Sequence, residues 1–227
     1  MKLDIVYEDN HIIAVNKRSG DLVQGDKTGD KPLSDMVKEY IKEKYNKPGD
    51  VYLGVTHRID RPTSGIVIFA RTTKALTRLN KMFQDKEINK TYWAVVENEP
   101  PNMSDTLTHF LKRNTKQNKS YASINSAGKD SKESVLAYTL KGKTNKYYLL
   151  EIDPKTGRHH QIRTQLSFIG CIIKGDLKYG AKRSNPDGSI HLHARGIEFL
   201  HPVKKEPVVI TANPPKDPVW DEFVKLA

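Results

Sequence analysis

Short β-prone runs, interrupted by a few helical stretches and not in strict β–α alternation, most constrain what this chain can fold into. Residues 3–7 and 11–15 flank Glu8-Asp9-Asn10 as a hairpin, and 66–70 (Ile-Val-Ile-Phe-Ala) has the composition of a buried strand. Residues 90–97, 135–140, 147–152, 192–194 and 207–211 add further strands. A helix is expected from Pro32, where Leu33, Met36, Val37, Tyr40 and Ile41 form one apolar stripe. A second follows a cap at Thr72 or Thr73, with Ala75, Leu76, Leu79, Met82 and Phe83 facing inward. A third runs through Gln161 to Phe168 with Gly170 as a left-handed cap, and a fourth covers about 218–226. With no repeat and no clear linker, the pattern argues for one α+β domain over 1–227, its core at about 3–211.

A chain of 227 residues that is 37% apolar has enough core-forming content to fold without staples. No apolar run approaches the ~18 residues of a membrane span, and the first residues lack a secretion-signal layout, so a soluble, cytoplasmic protein is expected. One cysteine, Cys171, excludes an intrachain disulfide and a cysteine-cluster metal site. The formal charge of +11 favours a polyanionic partner, since each Lys or Arg set on a phosphate releases condensed counterions. The stretch 112–132 concentrates that charge: Lys112, Arg113, Lys116, Lys119, Lys129 and Lys132 face a single Asp130, as a mobile basic arm or a long hairpin.

The densest polar stretch is His57-Arg58-Ile59-Asp60-Arg61-Pro62-Thr63-Ser64-Gly65. Asp60 between two arginines is favoured in its ionised form, a candidate nucleophile on a backbone restricted by Pro62 and Gly65. The plainer alternative is an exposed Arg-Asp cluster ending a loop. In Thr156-Gly157-Arg158-His159-His160-Gln161-Ile162-Arg163, Gly157 is placed to let an anion approach a helix start. On that helix Arg158 falls on the face of Ile162 and Leu166, and His159 on the face of Arg163. An ordinary basic helix terminus at the surface is the alternative. Tyr92, in Lys90-Thr91-Tyr92, shares a strand face with Ala94 and Val96, as many core tyrosines do. His191 and His193 have no acidic or thiol ligand at metal spacing, and no metal is expected.

Taken together and in order, these motifs resemble those of RluA-type pseudouridine synthases. The stretch 57–65 is similar to H-R-L-D-R-x-T-S-G, Lys90-Thr91-Tyr92 to K-x-Y, 156–163 to T-G-R-x-H-Q-I-R, and Gly175-Asp176 through Tyr179-Gly180 to G-D-x-x-Y-G. Asn16-Lys17-Arg18-Ser19-Gly20 and Leu192-His193-Ala194 fit early and late elements of the same family. The resemblance implies a pseudouridine synthase-type domain with a central mixed, largely antiparallel sheet, flanking helices and an RNA-binding cleft lined by Asp60, Tyr92 and Arg163. It also implies isomerisation of specific uridines in rRNA or tRNA, with no cofactor and no metal.

Carried over residue by residue, Asp60 is the catalytic aspartate, Tyr92 the aromatic beside the target base, and Arg163 the partner of the Asp60 carboxylate. Arg58 is expected to fill the space left by the extruded nucleotide; Arg61, Arg158, His160, Lys112 and Arg113 are expected to contact the RNA. Ile59 stands where the family has leucine, and Thr164-Gln165-Leu166 where it often has V-H-L. No counterpart of the family's small N-terminal S4-like domain is expected, so RNA recognition falls to the catalytic domain. Nothing calls for a protein partner or a membrane, and a monomer is expected. The competing reading is a catalytically inactive basic RNA-binding protein of the same fold; a glycoside hydrolase would need a second carboxylate that the motifs do not supply.

Overall fold

The first hairpin turns at Asp9, whose Oδ1 accepts the backbone N–H groups of His11 at 2.8 Å and Ile12 at 2.9 Å. The computed structural model describes residues 3–26 and 28–226. In chain order the elements are β1 (Ile5–Glu8), β2 (Ile12–Lys17), α1 (Leu33–Lys44), β3 (Gly54–Val55), β4 (Ser64–Ala70), α2 (Thr73–Gln84), β5 (Asn89–Val96) and β6 (Ser104–Asn114). They continue with β7 (Lys119–Ser123), β8 (Ser131–Lys143), β9 (Tyr148–Pro154), α3 (Gln161–Phe168), β10 (Leu192–Leu200), β11 (Pro207–Thr211) and α4 (Pro218–Val224). The described residues form two compact units, one within 3–90 and 194–214, the other within 91–193 and 215–226.

In the first unit the strand order is β1-β2-β4-β10-β11, with the short β3 on the end of β4. All seven residues of β4 are buried because helices cover both of its faces. Ile66, Ile68 and Ala70 pack with Ala75, Leu79 and Met82 of α2 and with Ile197, Phe199 and Ile210. Val67 and Phe69 point the other way, into Ile13, Val15 and the Leu33, Val37 and Ile41 stripe of α1. Thr72 caps α2, its hydroxyl accepting the Ala75 N–H at 3.2 Å, which resolves the choice between Thr72 and Thr73.

In the second unit the order is β5-β9-β8-β6-β7. Ala94, Val96, Leu107, Leu136, Leu150 and Ile152 form one core with Ile162 and Leu166 of α3, and buried Cys171 belongs to it, its thiol pushed up to about 11 by desolvation. Trp93, Val95 and Leu149 form another core with Trp220 and Phe223 of α4. Asp217 caps α4, accepting the N–H groups of Val219 and Trp220. The basic stretch 112–132 is a hairpin and not an arm: β6 pairs with β7 from Phe110↔Ser123 to Asn114↔Lys119, and β8 returns on the other side of β6. The architecture is α+β with a largely antiparallel arrangement.

Candidate active site

The loop that carries Asp60 begins where β3 ends. There, two side chains take over from the backbone ladder. Thr56 donates its hydroxyl to the Ile68 carbonyl at 2.6 Å, and the Ile68 N–H donates to His57 Nε2 at 3.0 Å. The His57 ring lies on Phe83, with centroids 4.8 Å apart. Ile59 packs against the α1-side core, so the leucine-to-isoleucine change keeps an apolar anchor. The Asp60 carbonyl accepts the Thr63 N–H at 3.0 Å, closing a turn that contains Pro62.

A second set of bonds holds the far side of this loop to residues 17–21. The Gly20 N–H donates to the Arg61 carbonyl at 2.8 Å, Arg61 Nε donates back to the Gly20 carbonyl at 2.9 Å, and the Ser19 hydroxyl donates to the Pro62 carbonyl at 3.0 Å. Beneath lies Lys17, 1% exposed, whose ammonium donates to the carbonyls of Arg18, Asp21 and Arg61 at 2.8, 2.9 and 3.1 Å. Desolvation and the nearby Arg61 lower its pKa to about 8, while the negative charges of Asp21 and Asp60 oppose that fall. Gly65 has φ +115°, and a Cβ there would stand 2.4 Å from the Ala194 carbonyl oxygen, so only glycine fits. Asp60 is thereby presented half-buried on a backbone pinned on both flanks, with Arg58 beside it exposed. Arg61 also pairs with Asp30 at 2.6 Å, both side chains substantially exposed.

His57 is held neutral, its pKa brought down to about 3 by burial and by the Lys90 charge. An unfolded chain takes up a proton at this position near the ordinary value of 6.5 and the folded one does not. Its contribution to stability is therefore complete above 6.5 and is lost as pH falls towards 3, by up to ~1.4 kcal/mol per pH unit. Replacing His57 by alanine is expected to cost about 2–4 kcal/mol at pH 7, from lost ring packing and an unsatisfied Ile68 N–H, and to flatten that slope. Urea unfolding at pH 7 and pH 5 measures both; equal slopes for wild type and variant would contradict the assignment.

In the second unit, Tyr92 is half-buried on β5 opposite Ile152 and packs against the α3-side core. Arg163, on α3, is 5% exposed and bidentate to Asp176, which is 1% exposed: Nε to Oδ2 at 2.7 Å and Nη2 to Oδ1 at 2.8 Å. The surface-terminus alternative is thus excluded for Arg163. Asp176, from the stretch that resembles G-D-x-x-Y-G, is the carboxylate that aims this guanidinium. Gly175 before it has φ +85°, and a Cβ there would meet the Asn185 amide at 2.7 Å.

The helix expectation needs one correction. α3 starts at Gln161, after His160 in a left-handed conformation at φ 53°, so Arg158 and His159 are not on it and share no helix face with Ile162 or Arg163. Gln161 makes the turn instead. Its Oε1 accepts the Thr156 hydroxyl at 2.8 Å and the Arg158 N–H at 2.9 Å, and its Nε2 donates to the Val135 carbonyl at 3.0 Å. Arg158 is exposed and reaches the Glu133 carbonyl at 3.3 Å. His160 lies 3.0 Å from the Tyr179 hydroxyl and stacks on His159, with centroids 3.7 Å apart. Lys112 and Arg113, adjacent on β6, point to opposite faces of the hairpin; Arg113 Nη2 donates to Asn118 Oδ1 at 3.3 Å.

Residues 11–168 match the family model of RNA pseudouridylate synthases. The chain belongs to the RNA pseudouridylate synthase family. Among curated relatives it is 34% identical to a protein named ribosomal large subunit pseudouridine synthase C from Buchnera aphidicola subsp. Baizongia pistaciae, over 97% of this chain and 69% of that protein. It is 33% identical to a tRNA pseudouridine synthase C of Vibrio cholerae, over 96% of this chain and 93% of that one. The solved structure of human RNA pseudouridylate synthase domain containing 4 shares its fold, with a TM-score of 0.81, 21% identity, and coverage of 97% and 92%. Membership in this synthase family makes the chain an isomerase by class. No helix among the described residues is long and apolar enough to cross a membrane.

Proposed function

We propose that this synthase converts specific uridines of cytoplasmic rRNA or tRNA to pseudouridine, with Asp60 as the catalytic aspartate. The observation that carries the reading is the presentation of Asp60: half-buried, on a loop fastened by Lys17, Ser19, Gly20 and His57, in a stretch that resembles the family's H-R-L-D-R-x-T-S-G and lies within the residues the family model matches. The relatives' names supply the two RNA classes. The reaction breaks N1–C1′, turns the uracil, and joins C5 to C1′; C5 loses a proton and N1 gains one, so no redox partner or group donor is required. Asp60 either attacks C1′ or removes a ribose proton, and both courses need its ionised carboxylate. The roles proposed for Tyr92 and Arg163 are those implied by the family motifs: aromatic at the target base and cationic partner of the reacting carboxylate, the latter oriented by Asp176.

Extruding the target nucleotide costs a few kcal/mol of lost stacking. We assign Arg58, exposed and two residues from Asp60, to the vacated space, and Arg61, Arg158, His160, Lys112 and Arg113 to RNA contacts. Incubation with bulk tRNA and rRNA tritiated at uracil C5 tests the function: tritium is expected in the solvent and pseudouridine in the digest. Absence of release from both RNA pools by folded protein would overturn it. Arg58→Ala is expected to slow release roughly 10-fold or more, as a lost stacking partner of 1–3 kcal/mol would; an unchanged rate removes Arg58 from this role.

A further inference from the structure

The end of the second unit's sheet is covered on one face and bare on the other. Leu107, His109 and Leu111 of β6, with Ser134 and Leu136 of β8, are buried on the face that carries α3; there Gln165 Nε2 donates to the carbonyls of Leu107 and Ser134 at 3.2 and 3.1 Å. The intervening residues Thr106, Thr108, Phe110 and Lys112 turn to the opposite face. Cross-strand register places Tyr121 beside Lys112 and Ser123 beside Phe110, so Tyr121 joins this face as the diagonal neighbour of Phe110. Tyr121 is 48% exposed, and Phe110 belongs to none of the hydrophobic cores.

Cations frame the two rings. The Lys119 ammonium lies 5.4 Å from the Tyr121 ring centroid and 5.1 Å from that of Tyr179, and Lys112 is the cross-strand neighbour of Tyr121. The carboxylates on this face lie on the far side of β6 from β7: Glu133 on β8, opposite Phe110, and Glu151 and Asp153 beyond it on β9. The Tyr121 hydroxyl donates to Gln117 Oε1 at 2.6 Å, which orients the ring on the hairpin, and neither ring belongs to a hydrophobic core. Aromatic rings on an open sheet surface, flanked by lysines, are the physical means by which unpaired bases are held: every base has a π-face, and the lysines take the phosphates between them.

We propose that the open face of the β6–β7 hairpin binds two successive unpaired nucleotides of the substrate RNA, stacked on Tyr121 and Phe110, with Lys112 and Lys119 on their phosphates. The inference rests on the RNA-modifying reading above and adds a base-stacking platform away from the Asp60 loop. It divides two neighbours that the sequence treats alike: Lys112 belongs to the platform, and Arg113, turned to the other face and bonded to Asn118, does not.

The probe is a 5′-fluorescein-labelled U12 oligonucleotide, titrated with the full chain and followed by anisotropy at several salt concentrations. Tyr121→Ala is expected to weaken binding about 5- to 100-fold and Phe110→Ala by at least about 5-fold, the range of single base–aromatic stacks; Tyr121→Phe keeps the ring and stays within about twofold of wild type. Lys112→Ala is expected to lower the salt slope by about 0.7, one phosphate contact on a single strand, whereas Tyr121→Ala leaves the slope unchanged. Melting temperatures for every variant identify any loss caused by unfolding, and only folded variants are compared. Tyr121→Ala and Phe110→Ala binding as tightly as wild type, or a wild type that does not bind U12, overturns the platform. Tritium release by wild type from bulk RNA is independent of this outcome, so failure of the platform and failure of the synthase reading are separately visible.

Discussion

Asp60→Asn is expected to lower tritium release from C5-labelled RNA by roughly 10⁴-fold or more, the scale lost when a group acting directly on the reacting bond is removed. Asparagine is the informative replacement. It keeps the volume of the side chain and the backbone turn in which the residue 60 carbonyl accepts the Thr63 N–H at 3.0 Å. It also leaves untouched the Lys17, Ser19 and Gly20 bonds that pin the loop, all of which end on backbone carbonyls of Arg61 and Pro62. What it removes is the negative charge. Of the reactions left to a neutral amide, neither attack on C1′ nor removal of a ribose proton proceeds at a useful rate. One electrostatic side effect has a definite sign: the Asp60 charge supports the protonated form of buried Lys17, so its loss lowers the Lys17 pKa further below about 8. The melting temperature near pH 7 is expected to stay within a few degrees of wild type, and RNA affinity within a few-fold. A variant that is folded, binds RNA and retains more than a hundredth of the wild-type rate would remove Asp60 from the chemistry. A wild type that binds RNA but releases no tritium would instead favour the reading as an inactive RNA-binding protein.

The parts of this molecule legible in its sequence are those governed by local physics. Periodicity located α1, a hydroxyl before an apolar stripe located α2, and a run of five apolar residues marked β4. Ordered motifs located the Asp60 loop. What escaped depends on pairing across the chain or on polar groups that burial pays for elsewhere. α3 buries Gln161, Arg163, Thr164 and Gln165, so its inward face does not register as apolar, and the basic look of Arg158-His159-His160 pulled the expected helix start three residues early. The side chain that ends that extension is Gln161, folding back on Thr156 and Arg158, a contact that spacing alone does not announce. Lysine is almost never fully buried unless its ammonium is satisfied. Lys17 is buried because three carbonyls from two separate loops converge on it, and nothing local to Asn16-Lys17-Arg18 encodes that. The lysine-, serine- and asparagine-rich composition of 112–132 concealed a paired hairpin whose strand alternation, once registered, separates Lys112 from Arg113 and brings Phe110 to Tyr121.

The Arg163–Asp176 pair carries the second large expected effect, on stability. Both side chains are almost completely excluded from solvent, at 5% and 1%, and both contacts are short. Forming such a pair returns little net energy, because desolvating two ions offsets most of their attraction; deleting one member is costly, since the other keeps its desolvation penalty without its bidentate partner. Asp176→Ala is therefore expected to destabilise the chain by about 3–5 kcal/mol, measured by urea unfolding at pH 7. Asp176→Asn, which preserves shape and one acceptor oxygen but not the charge, is expected to cost less. Arg163→Met combined with Asp176→Leu removes both charges together and is expected to recover much of the stability lost in Asp176→Ala, while remaining inactive because the guanidinium is gone. The order of these three variants is the discriminating result. If Asp176 served only to fill space in its turn, the asparagine variant would be close to wild type and the double variant no better than Asp176→Ala. If it served only catalysis, all three would lose activity with unfolding free energies unchanged. The geometry argues for both consequences at once, because the carboxylate that makes burial of the Arg163 guanidinium tolerable is also the one that fixes its direction.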